Sequence, residues 1–166
     1  MNQLDAHLAD AEATETLGRA LAAVRPATAM VQLHGDLGAG KSTLARALLR
    51  ALGVTGPIRS PTYTLVERYP LSSGDEAWHL DLYRIGNAGE LDFLGLDEGS
   101  ASLWLVEWPE RGAGILPPVD LDVELAVDGD GRSVRLLARS PAGRDWLHAA
   151  AQQAELQPFF VSGQEE

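Results

Sequence analysis

Cysteine is absent from the 166 residues, and its absence excludes disulfides and thiolate metal sites. An intracellular, cytoplasmic setting is the default expectation. No apolar run approaches the length that spans a bilayer. The first residues, MNQLDAHLADAE, are acidic and have no apolar core segment, so they do not read as a secretory signal. Asparagine occurs only as Asn2 and Asn87, neither within an N-K-x-D guanine-reading motif, which excludes an ordinary GTPase. An LSGGQ-type signature is missing, which argues against a transporter ATPase. Also missing is the arginine-dense lid that small nucleotide kinases close over their substrates.

Positive charge is scarce too. The net charge is −11, and the arginines are scattered among more numerous carboxylates. A protein that grips nucleic acid by itself shows a basic face that exchanges counterions with phosphates. Direct, tight binding of DNA or RNA is therefore not expected, while a role beside nucleic acid through another protein stays open. Of the positive side chains twelve are arginine and one is lysine, Lys41. Arginine is a wide planar fork and lysine a compact charge on a thin stem. Keeping lysine at a single position implies a narrow space that needs a small cation.

That lysine lies in the stretch Gly35-Asp36-Leu37-Gly38-Ala39-Gly40-Lys41-Ser42, followed by Thr43, which matches G-x-x-x-x-G-K-[ST] in full. Glycines let the backbone turn successive N–H groups toward one anion, and the helix that follows adds the positive end of its dipole. Lysine reaches the β- and γ-phosphates, and the Ser42 hydroxyl ligates magnesium. The context fits: Thr28–Leu33 reads as a short buried strand before the loop. Lys41–Leu52 reads as a helix after it, with Leu44, Leu48 and Leu52 on one face and Gly53 as its stop.

Elsewhere, Asp10–Val24 is predicted as a helix with Leu17, Leu21 and Val24 on one face, ended by Arg25-Pro26. Thr62–Tyr69 and Ala77–Leu82 read as strands around a turn, Asn87–Leu96 as a short helix, and Leu103–Val106 as a central strand. Val119–Asp128 alternates Leu121, Val123, Leu125 and Val127 with acids. Through Asp128-Gly129-Asp130-Gly131 it pairs with Arg132–Arg139 as a hairpin with one wet face. Ser140-Pro141 opens a last helix to about Leu156. The expectation is an α/β, P-loop NTPase-like layered fold whose mixed sheet combines parallel strands with an antiparallel hairpin. It is a single domain over residues 1–156, followed by a flexible tail over 157–166.

A magnesium–nucleotide site needs a further carboxylate at the end of a neighbouring strand. Glu107, after Leu103–Val106, is the stronger candidate; Asp81 follows a strand that a histidine interrupts. Ser60-Pro61-Thr62 lies where switch segments place a hydroxyl that senses the γ-phosphate. The four histidines, His7, His34, His79 and His148, show no metal-ligand spacing, and Trp104 and Trp108 read as packing.

Taken together, GDLGAGKST, SPTYTLVERY, HLDLYR, LGLDE and LVEWPERG, in this order and spacing, closely resemble the bacterial TsaE family. These are P-loop ATPases of tRNA threonylcarbamoyladenosine biosynthesis. The likeness runs from about Thr14 to about Arg139. It implies an ATPase that works with two partners, TsaB and TsaD, which transfer a threonylcarbamoyl group to adenosine 37 of tRNA. The tRNA is then met only through those partners, which suits the acidic charge, and no membrane is involved. The resemblance also implies that Ser42 and Glu107 bind magnesium and that Asp81 is important for function. Thr62 belongs to a switch-like segment, and Arg132 and residues around Ala11 contact ATP. Two other readings remain: a small kinase with Asp81 as its base, and a nucleotide-sensing subunit with negligible hydrolysis.

Overall fold

In this computed structural model the described residues are 2–87, 89–91 and 101–161. Seven strands form one sheet in the order β1-β7-β6-β2-β5-β4-β3. They are β1 (Gln3–Leu8), β2 (Ala29–His34), β3 (Val66–Pro70), β4 (Glu76–Asp81), β5 (Leu103–Glu107), β6 (Leu121–Asp128) and β7 (Gly131–Ala138). The central four, β6, β2, β5 and β4, run parallel, while β3, β7 and β1 pair antiparallel with their neighbours. The expected mixed sheet is therefore present. Three helices, α1 (Ala11–Ala23), α2 (Lys41–Ala51) and α3 (Pro141–Ala151), supply Leu17, Leu21, Leu44, Leu48, Trp146 and Leu147 to the larger core.

Alternation along the strands separates the two faces of the sheet. Val31, Leu33, Leu103, Leu105, Leu121 and Val123 meet the helices, whereas Met30, Trp78, Leu80 and Val106 form a smaller core on the other side. Buried on both faces, the central strands read as near-continuous apolar runs. α1 is capped by Asp10, whose carboxylate accepts from the Ala13 N–H at 2.9 Å, and α3 by Ser140, which accepts from Gly143 at 2.9 Å. Because β2, β4 and β5 are parallel, their C-terminal ends lie together on one edge, where ligands of α/β sheets bind.

The structure departs from the sequence expectation in five places. The N-terminal segment, which received no assignment, is strand β1, whose Leu4, Ala6 and Leu8 are buried. The predicted strand Thr62–Tyr69 begins only at Val66. Leu65 takes a positive φ of 70° and breaks the extended chain, leaving Ser60–Thr64 as a loop. The acid side of the hairpin is not uniformly wet: Asp122 is buried between His34 and Arg139, at 2.9 and 2.7 Å. α3 stops at Ala151, and Ala154–Phe159 is a 3-10 helix. Phe159 and Phe160, assigned from sequence to the tail, pack on the core, and the Val161 N–H donates to Asp5. Residues 89–91 form one 3-10 turn. The rest of the helix expected to run to Leu96, and the LGLDE stretch, lie outside the described residues.

Candidate nucleotide site

β2 ends at His34, the chain turns through residues 35–40, and α2 starts at Lys41. Gly40 is the residue before the helix and adopts φ 108°, ψ 9°, a conformation costly for any residue with a Cβ. It makes no side-chain cap, so the first N–H groups of α2 are left for another acceptor. Gly35 is needed for a different reason. A Cβ there would stand 2.6 Å from the Leu125 carbonyl oxygen, so the loop crosses β6 at a distance only glycine permits.

These groups open onto a cavity of about 670 Å³, within the range of small-molecule sites. Asp36, Leu37, Gly38, Gly40, Lys41, Ser42 and Thr43 line it from the loop, and Thr62, Asp81, Glu107 and Arg132 line it from elsewhere. Two predicted loop residues do not: Ala39 is buried beneath the turn, and Gly35 borders an adjoining recess with His34 and Trp108. Ala11 lies in a smaller cleft with Thr14, Gly40, Thr43 and Arg132, so the start of α1 and the β6–β7 turn border the loop from one side. Arg132 donates from Nε and Nη2 to the Gly38 carbonyl at 3.2 and 3.0 Å, tying the hairpin to the loop.

Glu107 and Asp81 are register partners at the ends of β5 and β4. Glu107 is 5% exposed; its Oε1 lies 3.7 Å from Lys41 Nζ, and its Oε2 is 2.8 Å from His79 Nε2. Burial opposes the charge on Glu107. The hydrogen bond with His79 and the charge of Lys41 outweigh that penalty and hold its carboxyl below the usual carboxylate range. Asp81 accepts from the Tyr83 N–H at 3.0 Å and from the Thr62 hydroxyl at 3.4 Å, and Thr62 is 2.7 Å from the Ser60 hydroxyl. The S-P-T segment is thus wired to the carboxylate of the neighbouring strand.

Two of these residues do more than their sequence context suggests. Trp108, read as packing, lines the cavity with a positive φ of 56°, and its ring centroid lies 5.3 Å from Lys41 Nζ. His79, which seemed only to interrupt a strand, is the partner of Glu107. The available signal was its spacing. A residue two before a strand-end acid shares that acid's face.

Among the described residues no group of three or more His, Cys, Asp or Glu side chains could hold a metal alone. Magnesium does not need such a cage. It takes hard oxygen ligands, commonly one or two carboxylates together with substrate phosphates and water. The Ser42 hydroxyl and the carboxylates of Glu107 and Asp81 fit that chemistry, and all three line the one cavity.

A glycine turn between a central parallel strand and a helix, with a buried lysine and a carboxylate on the next strand, defines the class: a P-loop nucleotide-binding protein. The family model described as "Threonylcarbamoyl adenosine biosynthesis protein TsaE" matches residues 8–135, and the chain belongs to that family. The tRNA threonylcarbamoyladenosine biosynthesis protein TsaE of Haemophilus influenzae is 43% identical over 122 residues, 72% of this chain and 77% of its own length. The Streptomyces coelicolor protein of the same name is 38% identical over 138 residues, 80% and 93% of the two chains. The crystal structure of Bacillus subtilis YdiB matches with a TM-score of 0.75 at 26% identity, covering 90% of this chain and 95% of that one. No helix among the described residues is long and apolar enough to cross a membrane.

Proposed function

We propose that this chain binds ATP with magnesium and hydrolyses it to drive turnover of a TsaB–TsaD complex in tRNA threonylcarbamoyladenosine biosynthesis. The observation that carries the reading is the convergence of Lys41, Ser42, Asp81 and Glu107 on one cavity at the parallel-strand ends.

Phosphoryl transfer to water is governed by positioning and electrostatics more than by covalent chemistry from the protein. The loop N–H groups and the α2 dipole hold the phosphates, and Lys41 neutralises charge on the β- and γ-oxygens. Ser42 and Glu107 would hold magnesium, which would supply screening of the phosphate charge and a fixed orientation for the terminal group. Asp81 is placed to order water, and Thr62, bonded to it, links that carboxylate to the Ser60–Thr64 loop. Arg132 and the start of α1 near Ala11 border the nucleotide from the other side. A net charge of −11 suits a component that leaves tRNA to its partners. The cytoplasm, where tRNA is modified, is the corresponding location.

The test is magnesium-dependent ATP hydrolysis by the purified chain, alone and then with TsaB, TsaD and tRNA. Slow hydrolysis that rises on adding the pair supports the reading. Hydrolysis indifferent to the pair removes the pathway role, and phosphoryl transfer to an acceptor other than water points to a kinase. Binding without any hydrolysis leaves a nucleotide sensor.

A further inference from the structure

His79 lies in the middle of β4, between β3 and β5, and is 3% exposed. It shares the helix-facing side of the strand with Ala77 and Asp81, and its register partners there are Glu67 on β3 and Leu105 on β5. Its Nε2 lies 2.8 Å from Glu107 Oε2. Its other ring nitrogen, Nδ1, is buried with no hydrogen-bond partner, the one side-chain atom in that condition among the described residues.

An orphaned polar atom in a core is a standing cost that an apolar side chain of similar volume would avoid. Filling space therefore does not explain the residue, and the bond to Glu107 is what remains. The bond also assigns the ring. Glu107 is an acceptor, so Nε2 carries a hydrogen.

Glu107 has three side-chain torsions and sits at a strand end, so its backbone alone does not aim its carboxylate. With Oε2 held by His79, Oε1 is turned toward Lys41 at 3.7 Å and toward the cavity. Carboxylates that ligate metals are characteristically held this way by an outer hydrogen bond, whose loss costs about ten- to a hundredfold in metal affinity.

We propose that His79 is a positioning residue that fixes the Glu107 carboxylate in its magnesium-binding orientation through an Nε2–H to Oε2 hydrogen bond. The proposal rests on the reading of Glu107 as a magnesium ligand given above.

The experiment compares wild type with His79→Leu, which fills the site without a donor, and His79→Gln, whose amide restores one. ADP affinity is measured with excess chelator and then with magnesium, and manganese binding to the ADP complex is followed by electron paramagnetic resonance. The expected result for His79→Leu is metal-free ADP affinity within about twofold of wild type, with metal affinity lowered about ten- to a hundredfold. His79→Gln should recover most of the loss. A folded His79→Leu protein with wild-type metal affinity overturns the proposal, as does equal weakening with and without metal, or a His79→Gln protein no better than His79→Leu. A wild-type protein whose nucleotide affinity ignores magnesium defeats the reading of the site itself, and this proposal with it. Should His79→Leu fail to fold, nitrogen NMR of the wild-type imidazole decides. The Nε2–H tautomer, with its proton signal moving when magnesium joins the ADP complex, supports the proposal, and the Nδ1–H tautomer or an unmoved signal overturns it.

Discussion

Asp81 and Glu107 end adjacent parallel strands in direct register, yet they face different partners. Glu107 is enclosed by Lys41 and His79, while Asp81 accepts from the Tyr83 backbone and the Thr62 hydroxyl. Two carboxylates so close together can divide the work of one site, one holding the metal and the other addressing water.

Substituting them should separate binding from turnover. Glu107→Gln is expected to weaken magnesium-dependent ATP affinity on the order of tenfold or more while leaving metal-free affinity near wild type. Asp81→Asn is expected to keep ATP affinity within a few fold and to lower hydrolysis on the order of a hundredfold. Fluorescent-nucleotide titration with and without magnesium, beside single-turnover hydrolysis, reads both effects. Identical profiles for the two variants would refute the division.

Lys41 should tolerate no replacement, arginine included. Its side chain is only 10% exposed and its Nζ lies 3.7 Å from Glu107 and 5.3 Å from the Trp108 ring centroid, a setting matched to a compact charge rather than a planar fork. Lys41→Ala and Lys41→Arg are both expected to reduce MgATP binding or turnover on the order of a hundredfold. Retention of affinity and activity by Lys41→Ala would sink the central reading of the site.

The His34–Asp122 pair should make stability depend on pH on both sides of neutrality. The hydrogen bond to Asp122 raises the His34 pKa above its ordinary 6.5, despite partial burial. Burial resists the charge of Asp122, but the bonds with His34 and Arg139 outweigh it and lower its pKa below 3.8. The histidine's contribution is therefore full below pH 6.5 and is lost as pH rises through its higher folded value. The aspartate's contribution is present above pH 3.8 and is lost as pH falls through its lower folded value. The melting-temperature advantage of wild type over His34→Gln is expected to grow from about pH 8 to about pH 6. An NMR titration of His34 with a midpoint at or below 6.5 would contradict the assignment.

Gly18 sits where α1 crosses α2, and a Cβ there would lie 2.8 Å from the Ala47 Cβ. Alanine gains about 1 kcal/mol of helix propensity at that position, while overpacking costs about 1–3 kcal/mol. Gly18→Ala is thus expected to be neutral to destabilising by up to about 2 kcal/mol, and Gly18→Leu much worse. Urea unfolding measures the difference, and a clearly stabilised Gly18→Ala would show that the helices can move apart freely.

How much of this was legible in the sequence depends on whether local chemistry or distant contacts decide each residue. The glycine turn between β2 and α2 is a local device, so its spacing alone marks it, and the apolar run before Glu107 marks a central strand. Strand β1 was passed over because three small or medium apolar residues, Leu4, Ala6 and Leu8, alternate within an acidic segment. Their burial comes from pairing with β7, more than a hundred residues away in the chain. Thr62–Leu65 looked like strand because its residues favour that state, but the bond from Thr62 to Asp81 and the turn at Leu65 override the preference. Asp122 and His79 were misjudged for one reason. Each is a polar residue made tolerable inside by partners that meet it only in the folded sheet.

The single lysine also governs how this protein can be studied in company. Across the 166 residues an amine-directed cross-linker has one side chain to attack, and it lies inside the nucleotide cavity, paired to a buried carboxylate. Covalent capture at that amine would register whether the cavity is filled, and not which neighbour stands nearby. Mapping of contacts must instead use the abundant carboxylates or photoactivated groups, and an amine-reactive reagent, read at Lys41 and not at the α-amine, becomes an occupancy gauge.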